Sequence, residues 1–160
     1  MVTASTISIQ NIWKILEQVT DPEVPVLTIT DLGIVRDVKL NSDEVEIIIT
    51  PTYTGCPAMD MIAMNIKLAL IENGYSNIKI TSVLAPAWTT DWMTEEGKRK
   101  LKEYGIAAPN KNFEIPTDGV ECPLCNSTNT KLISGCGSTA CKALYQCKDC
   151  KEPFDYFKCH

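Results

Sequence analysis

Glu44-Val45-Glu46-Ile47-Ile48-Ile49-Thr50-Pro51-Thr52-Tyr53-Thr54-Gly55-Cys56-Pro57 is the stretch from which the rest of the chain can be laid out. Its first seven residues alternate as a strand does. Val45, Ile47 and Ile49 share one face, and Glu46, Ile48 and Thr50 the other. Proline, glycine and threonine then break the pattern, and from Ala58 to about Asn73 apolar residues recur at helical spacing. The junction is a strand-to-helix turn carrying Cys56, the only cysteine in the first 121 residues. Proline is favoured at the first helical position, so Pro57 predicts Cys56 as the N-cap. A thiol there sits beside unpaired backbone N–H groups and the positive end of the helix dipole, which favour the thiolate.

Working upstream, Ile34–Leu40 reads as a strand, and the turn residues Asn41-Ser42-Asp43 join it to the quoted one as an antiparallel hairpin. Gly33 supplies a turn or a close backbone approach. Ser8 can cap a helix whose stripe is Ile9, Ile12, Trp13, Leu16 and Val19, stopping near Thr20 because Pro22 restrains Asp21. Asp21-Pro22-Glu23-Val24-Pro25 follows as a stiff acidic loop. Its two carboxylates can bind a hard metal, orient a partner, or cap and solvate a turn.

Downstream, the helix after Cys56 carries Met59, Ile62, Ala63, Ile66 and Leu70 on one face and Met61, Met64, Leu68 and Ile71 on the other. Apolar all round, it is expected to be buried on more than one side, as core or, through its adaptable methionines, against a partner subunit. Gly74 closes it. Asn77–Leu84 is a third strand, and a threonine after Trp88 can cap a last helix running to Tyr104 and Gly105. Lys98, Arg99, Lys100 and Lys102 near its end read as a solvated face complementing the dipole. Trp88 and Trp92, four apart, can share a helix face as hydrophobic anchors. The order is α-β-β-α-β with a C-terminal helix, an α+β domain with helices against one face of a mostly antiparallel sheet.

The 44% hydrophobic and 22% charged composition suits a folded globular chain, and the net charge of −5 with pI near 4.9 argues against a nucleic-acid surface. No apolar run approaches the roughly 18 residues of a membrane span, and the first basic residue is Lys14, so neither a membrane nor a secretory signal is expected. The expected compartment is the cytoplasm. There is no G-x-G-x-x-G, no phosphate-binding lysine loop, and the single histidine is His160. Without an internal histidine base, an enzyme is not expected.

Seven of the eight cysteines fall between Cys122 and Cys159, and the composition shift places one domain at residues 1–108, a linker at 109–118 and a second unit at 119–160. Cys122-Pro123-Leu124-Cys125 and Cys147-Lys148-Asp149-Cys150 are C-x-x-C knuckles separated by 21 residues, close to zinc spacing. Four thiolates satisfy the charge and tetrahedral geometry of Zn²⁺ and leave no open position, so the site is read as structural. An iron–sulfur cluster on the same thiolates is the alternative. A unit this small gains much from metal, which can contribute about 10–16 kcal/mol of apparent folding free energy. Cys141 and Cys159 are candidates for a second thiol site, with Cys56 as a further member. Against this stands the reading of Cys141 as a small buried hydrophobe and Cys136 as an incidental thiol. Phe154, Tyr156 and Phe157 pack the ribbon core or dock it against the first domain.

Taken together, the segments resemble the PaaD (PaaJ) family of phenylacetate-degradation proteins, whose N-terminal domain is of the SufT-like iron–sulfur assembly type. The resemblance rests on Asp21-Pro22-Glu23-Val24-Pro25, Asp31-Leu32-Gly33-Ile34-Val35, Thr50 to Pro57, and Pro86-Ala87-Trp88-Thr89-Thr90-Asp91-Trp92. In the tail it rests on Gly137-Ser138-Thr139-Ala140-Cys141-Lys142-Ala143-Leu144-Tyr145 and Pro153-Phe154-Asp155-Tyr156-Phe157-Lys158-Cys159. It covers nearly the whole chain. Cys136 departs from the pattern, which has an aromatic there. The resemblance implies work beside the multicomponent oxygenase that epoxidises phenylacetyl-CoA. PaaD-like proteins are often described as a subunit of that oxygenase, but no Glu-x-x-His motif of the di-iron kind is present. A maturation factor is expected instead, with Cys56 holding iron or an iron–sulfur cluster transiently, Asp21 and Glu23 assisting, and the zinc ribbon recognising the client. That client is the reductase or another oxygenase component. One thiolate cannot supply the four ligands of a cluster, so a cluster would be shared with the client or across a homodimer. The alternative is a non-catalytic structural subunit that stays in the oxygenase complex.

Overall fold

Ser8, in extended backbone, accepts a hydrogen bond on Oγ from the Asn11 N–H at 3.1 Å and starts helix α1 (Ile9–Leu16). The helix buries Ile12, Ile15 and Leu16. The expected hairpin follows as β1 (Val35–Asn41) and β2 (Glu44–Ile49), antiparallel with Val38 opposite Ile47. Ser42, at φ 55°, closes its turn. After Cys56 come α2 (Ala58–Glu72), ended by Gly74 at φ 93°, and β3 (Ile78–Ser82). The sheet order is β1-β2-β3, with β3 parallel to β2 and Ile47 opposite Ile80. One of the two pairings is therefore parallel, where a mostly antiparallel sheet was expected. The cause is α2, which carries the chain back along the sheet before β3 begins.

Val45, Ile47 and Ile49 are buried on one face of β2, with α1 packed on β1 and α2 on β3. On the other, Glu46 accepts a hydrogen bond from Thr81 Oγ1 at 2.6 Å and lies 3.7 Å from Lys79. The Thr81 hydroxyl, foremost, holds the Glu46 carboxyl below its ordinary pKa. On α2 the Ile62, Ile66 and Leu70 face is buried, but Met61, Met64, Leu68 and Ile71 are exposed. This corrects the core reading of the second side, while its other alternative, a partner subunit, concerns a second chain. A single sheet layer covers only one face of the helix, so the opposite stripe lies outside the core of its own chain.

Trp88 and Trp92 do act as anchors, though not from a shared helix face, because residues Thr90–Trp92 form only a single 3-10 turn. Trp88 is 3% exposed, and its Nε1–H donates to the Leu32 carbonyl at 2.7 Å. Trp92 lies under the Arg36 guanidinium, 3.5 Å from the ring centroid, a cation–π contact. Gly33 sits at φ 71°, and a Cβ there would fall 2.4 Å from the Trp92 carbonyl oxygen. The chain approaches too closely for any other residue. Thr94 completes the clasp, its hydroxyl donating to Asp31 Oδ1 and its N–H to the Asp31 carbonyl.

The structure, a computed structural model, describes residues 8–53, 55–109, 116–137, 139 and 142–157. The chain divides into two compact units, Met1–Trp88 with Trp92–Thr94 and Thr89–Asp91 with Glu95–His160. In the second unit α3 (Glu95–Tyr104) leads through Gly105, at φ 90°, to β4 (Ile106–Ala107). β5 (Thr130–Ser134), β6 (Lys142–Cys147) and β7 (Pro153–Phe157) complete a sheet of order β4-β7-β6-β5. β4 runs parallel to β7, with Ile106 opposite Asp155, and the other pairings are antiparallel. The expected division at 108 therefore moves to about Glu95, because β4 hydrogen-bonds into the ribbon sheet and takes α3 with it. The expected linker 109–118 lies mostly outside the described residues. Three basic side chains of α3 are ion-paired at the surface: Lys98 with Glu95, Arg99 with Glu96 and Glu103, and Lys102 with Glu121. Tyr145 is fully buried, stacked on Phe154 and edge-on to Tyr156, so the aromatic tail fills the ribbon core. Among the described residues no helix is long and apolar enough to cross a membrane.

Candidate metal and thiol sites

The two C-x-x-C turns bring Cys122, Cys125, Cys147 and Cys150 together, with all four sulfur atoms within 4.8 Å of one another. Cys122 and Cys150 are 3.8 Å apart, and Cys125 and Cys147 are 3.6 Å apart. Four thiolates around one Zn²⁺ at about 2.3 Å define a tetrahedron whose edges are about 3.8 Å. A disulfide would need about 2.05 Å, and a cluster core set among the thiolates would hold them farther apart than a single ion does. The donor set and its spacing fit one structural zinc.

Both knuckles are built by the same backbone device. Asn126 and Lys151, each following the second cysteine of its pair, are left-handed at φ 63° and 69°. The turns are closed by Asn126 N–H to the Cys122 carbonyl at 2.8 Å and by Cys147 N–H to the Glu152 carbonyl at 3.0 Å. Asp149 spans from one knuckle to the other, accepting from the Ser127 hydroxyl and, at 2.9 Å, from Asn129 Nδ2. The Cys147 thiol is lowered to about 7, chiefly by the Cys150 backbone N–H and further by that of Asp149. Backbone donors aimed at sulfur favour the thiolate at Cys147, while Cys125 and Cys150 are raised, Cys150 to about 12, by burial and the neighbouring thiols.

Cys56 differs in kind. It lies one residue before Pro57, which is the N-cap of α2 in helical backbone, so the expected cap position is displaced by one. The Cys56 carbonyl accepts from the Met59 N–H at 3.3 Å, and its side chain is half-buried. The thiol is pushed above its ordinary pKa, first by burial, and also by the charges of Glu23 and, less strongly, Asp21. Hydrogen bonding from the Ala58 backbone and the Tyr53 side chain works in the opposite direction without prevailing. The expected thiolate is therefore corrected to a thiol. The helix terminus does help the anion, but partial burial and two carboxylates outweigh it.

That result also locates the acidic loop, whose carboxylates lie within electrostatic range of Cys56. Asp21 is buried, and its Oδ1 accepts from the N–H groups of Glu23 at 2.7 Å and Val24 at 2.8 Å. It caps the turn while contributing its charge. The loop is pinned by the Asp21 N–H to the Leu27 carbonyl and by the Ile29 N–H to the Val19 carbonyl, both 2.9 Å. Glu23 is less buried and acts on Cys56 the more strongly. Tyr53 is a further neighbour of the Cys56 thiol, one that the sequence reading did not single out. Its signal was an aromatic three residues before the cysteine in a turn otherwise made of small residues. Cys141 and Cys159 lie outside the described residues, and Cys136 is exposed and is not a member of the four-cysteine group.

Residues 107–158 match the PaaD zinc beta ribbon domain, and residues 9–74 match the iron–sulfur cluster assembly protein family. Over 162 aligned residues, 99% of this chain and 98% of its relative, the chain is 48% identical to an Escherichia coli (strain K12) protein provisionally named as one of the subunits of 1,2-phenylacetyl-CoA epoxidase. A Porphyromonas gingivalis protein named Fe-S protein maturation auxiliary factor is 33% identical over 94 residues, 58% of this chain and 89% of that one. Among solved structures, a domain of unknown function (DUF59) from Bacillus anthracis superposes with a TM-score of 0.54 at 30% identity, covering 57% of this chain and 89% of that one. A conserved hypothetical protein of Thermotoga maritima superposes with a TM-score of 0.53 at 25% identity, covering 62% and 98%. The two relatives just described thus carry the names of an epoxidase subunit and of an Fe-S protein maturation auxiliary factor.

Proposed function

We propose, from the premise that this chain belongs to the PaaD family, that it is a non-catalytic cytoplasmic maturation factor for the multicomponent phenylacetyl-CoA epoxidase. Its cargo is iron or an iron–sulfur cluster, taken up at Cys56 and passed to a client component, with the reductase as the expected recipient. Asp21 and Glu23 assist, and the zinc-held ribbon recognises the client.

The observation that carries the reading is the placing of two carboxylates near a single half-buried thiol. Negative charges that oppose a bare thiolate favour the same thiolate once it is paired with a cation. Cys56 is thus disposed to be a neutral thiol when empty and a metal ligand when loaded, releasing its proton on loading. Weak retention suits a carrier, because one thiol and two neighbouring carboxylates hold cargo less completely than four thiolates do. The relatives named for Fe–S protein maturation support the same reading.

The test is to co-produce the chain with the reductase and measure iron and acid-labile sulfide in the purified reductase. Cys56→Ser should leave the reductase under-loaded, and Glu23→Gln should give an intermediate loss. Full cluster loading with Cys56→Ser would end the proposal. If the chain instead co-purified stoichiometrically with active oxygenase, untouched by Cys56→Ser, a fixed structural subunit would be the better description.

A further inference from the structure

The side of α2 turned away from the core carries Met61, Met64, Leu68 and Ile71, exposed by 52, 60, 51 and 56%. Their spacing of three, four and three residues is that of heptad a and d positions, a seam narrower than a core-facing stripe. With Met61 at a and Met64 at d, Asp60 and Lys67 fall at g, and Asn65 and Glu72 at e. Lys67 and Glu72 are both exposed, and five residues apart they do not face each other on their own helix.

We infer that this stripe is a self-association surface, covered in solution by the same stripe of a second copy with the two α2 helices parallel. In a parallel pair each g residue meets the e residue five positions further along the partner helix. Lys67 of each copy then faces Glu72 of the other, twice by two-fold symmetry, and Asp60 faces Asn65. In the antiparallel order, with Met64 opposite Leu68, the two Lys67 side chains would meet near the centre. The charge pattern selects the parallel pair. From Met61 to Ile71 the seam is about 15 Å long, short of what a standard-sized interface uses, so the pair exchanges readily with monomer. The inference does not depend on the role of Cys56.

Sedimentation equilibrium of the zinc-loaded full chain, from about 1 µM to about 1 mM at low salt, reads the association directly. A concentration-dependent dimer is expected. Met64→Lys places two charges at one seam layer and should weaken it by at least about a hundredfold. Lys67→Glu or Glu72→Lys alone turns two attractions into two repulsions and should weaken it about tenfold, and the double exchange should restore it. All three positions are exposed, and far-UV circular dichroism with zinc content verifies that each variant folds. A wild-type chain that stays monomeric throughout, or a dimer indifferent to Met64→Lys, overturns the surface. Single charge reversals without effect, or a double exchange without rescue, overturn the parallel arrangement.

Discussion

Replacing Cys125 by serine should unfold the second unit while leaving the first intact. The sulfur separations of 3.8 and 3.6 Å match the roughly 3.8 Å edge of a zinc tetrahedron, so binding needs no rearrangement of the knuckles. The buried core of this unit is Ala107, Val120, Cys122, Ala143, Tyr145, Cys147, Phe154 and Tyr156, and two of these are themselves ligands. Structural zinc contributes about 10–16 kcal/mol of apparent stability, as much as the roughly 5–15 kcal/mol net stability of a whole domain. Losing the site should therefore cost the fold rather than soften it. The chromophores separate the two units. Trp13, Trp88 and Trp92 all belong to the first, whereas the Tyr145–Phe154 stack and Tyr156 belong to the second. For Cys125→Ser, zinc should fall from about one per chain to near none, and amide protection should vanish across β5–β7 and the attached β4 and α3. Tryptophan emission and its urea midpoint should stay put. Cys136→Ser, at another exposed cysteine, should keep the metal. Undiminished protection of β6 in metal-free protein would refute the reasoning.

Alkylation of Cys56 should be slower than that of Cys136 at pH 8 and should accelerate in Glu23→Gln, followed by mass spectrometry of the peptides. Because burial and the carboxylates raise the folded pKa above the unfolded one, the linked stability is fully present below the ordinary thiol pKa and is lost as pH rises through the folded value. Cys56→Ser should remove that alkaline slope from the stability–pH profile. Trp88→Phe removes the donor to the Leu32 carbonyl and leaves a void, costing about 2–4 kcal/mol in urea unfolding followed by the remaining tryptophans. Thr50 Oγ1 is buried with no hydrogen-bond partner among the described residues, so Thr50→Val should stabilise by about 1 kcal/mol; a lowered urea midpoint would contradict this.

What was legible in the chain was mostly local punctuation. Ser8, Gly74 and Gly105 mark helix ends through one backbone geometry each, and the two C-x-x-C turns announce their site because ligand spacing is a property of short sequence. The parallel pairing of β3 was also written there, in the length of α2, but alternation within a strand says nothing about its direction. β4 escaped notice because two residues carry no periodicity, and with it went the division of the structure into compact units near Glu95. The apolar composition of α2 did not distinguish core from seam, since Met64 and Ile66 read alike until the sheet is seen to cover only one of them. The protonation of Cys56 was the least legible. It depends first on burial in the folded turn and then on carboxylates more than thirty residues upstream, brought near by the turn that Asp21 caps.

The raised pKa of Cys56 has a consequence for how long such a thiol lasts. Peroxide and disulfides react with thiolates, and the first rung of cysteine oxidation is climbed by the anion. A cysteine kept protonated by its neighbours is spared that attack, so it persists in reduced form between encounters. In the role proposed above, beside an oxygenase from which partly reduced oxygen can escape, an activated thiol would serve poorly. Here burial, with the two acidic residues adding to it, acts as a chemical safety catch on the sulfur.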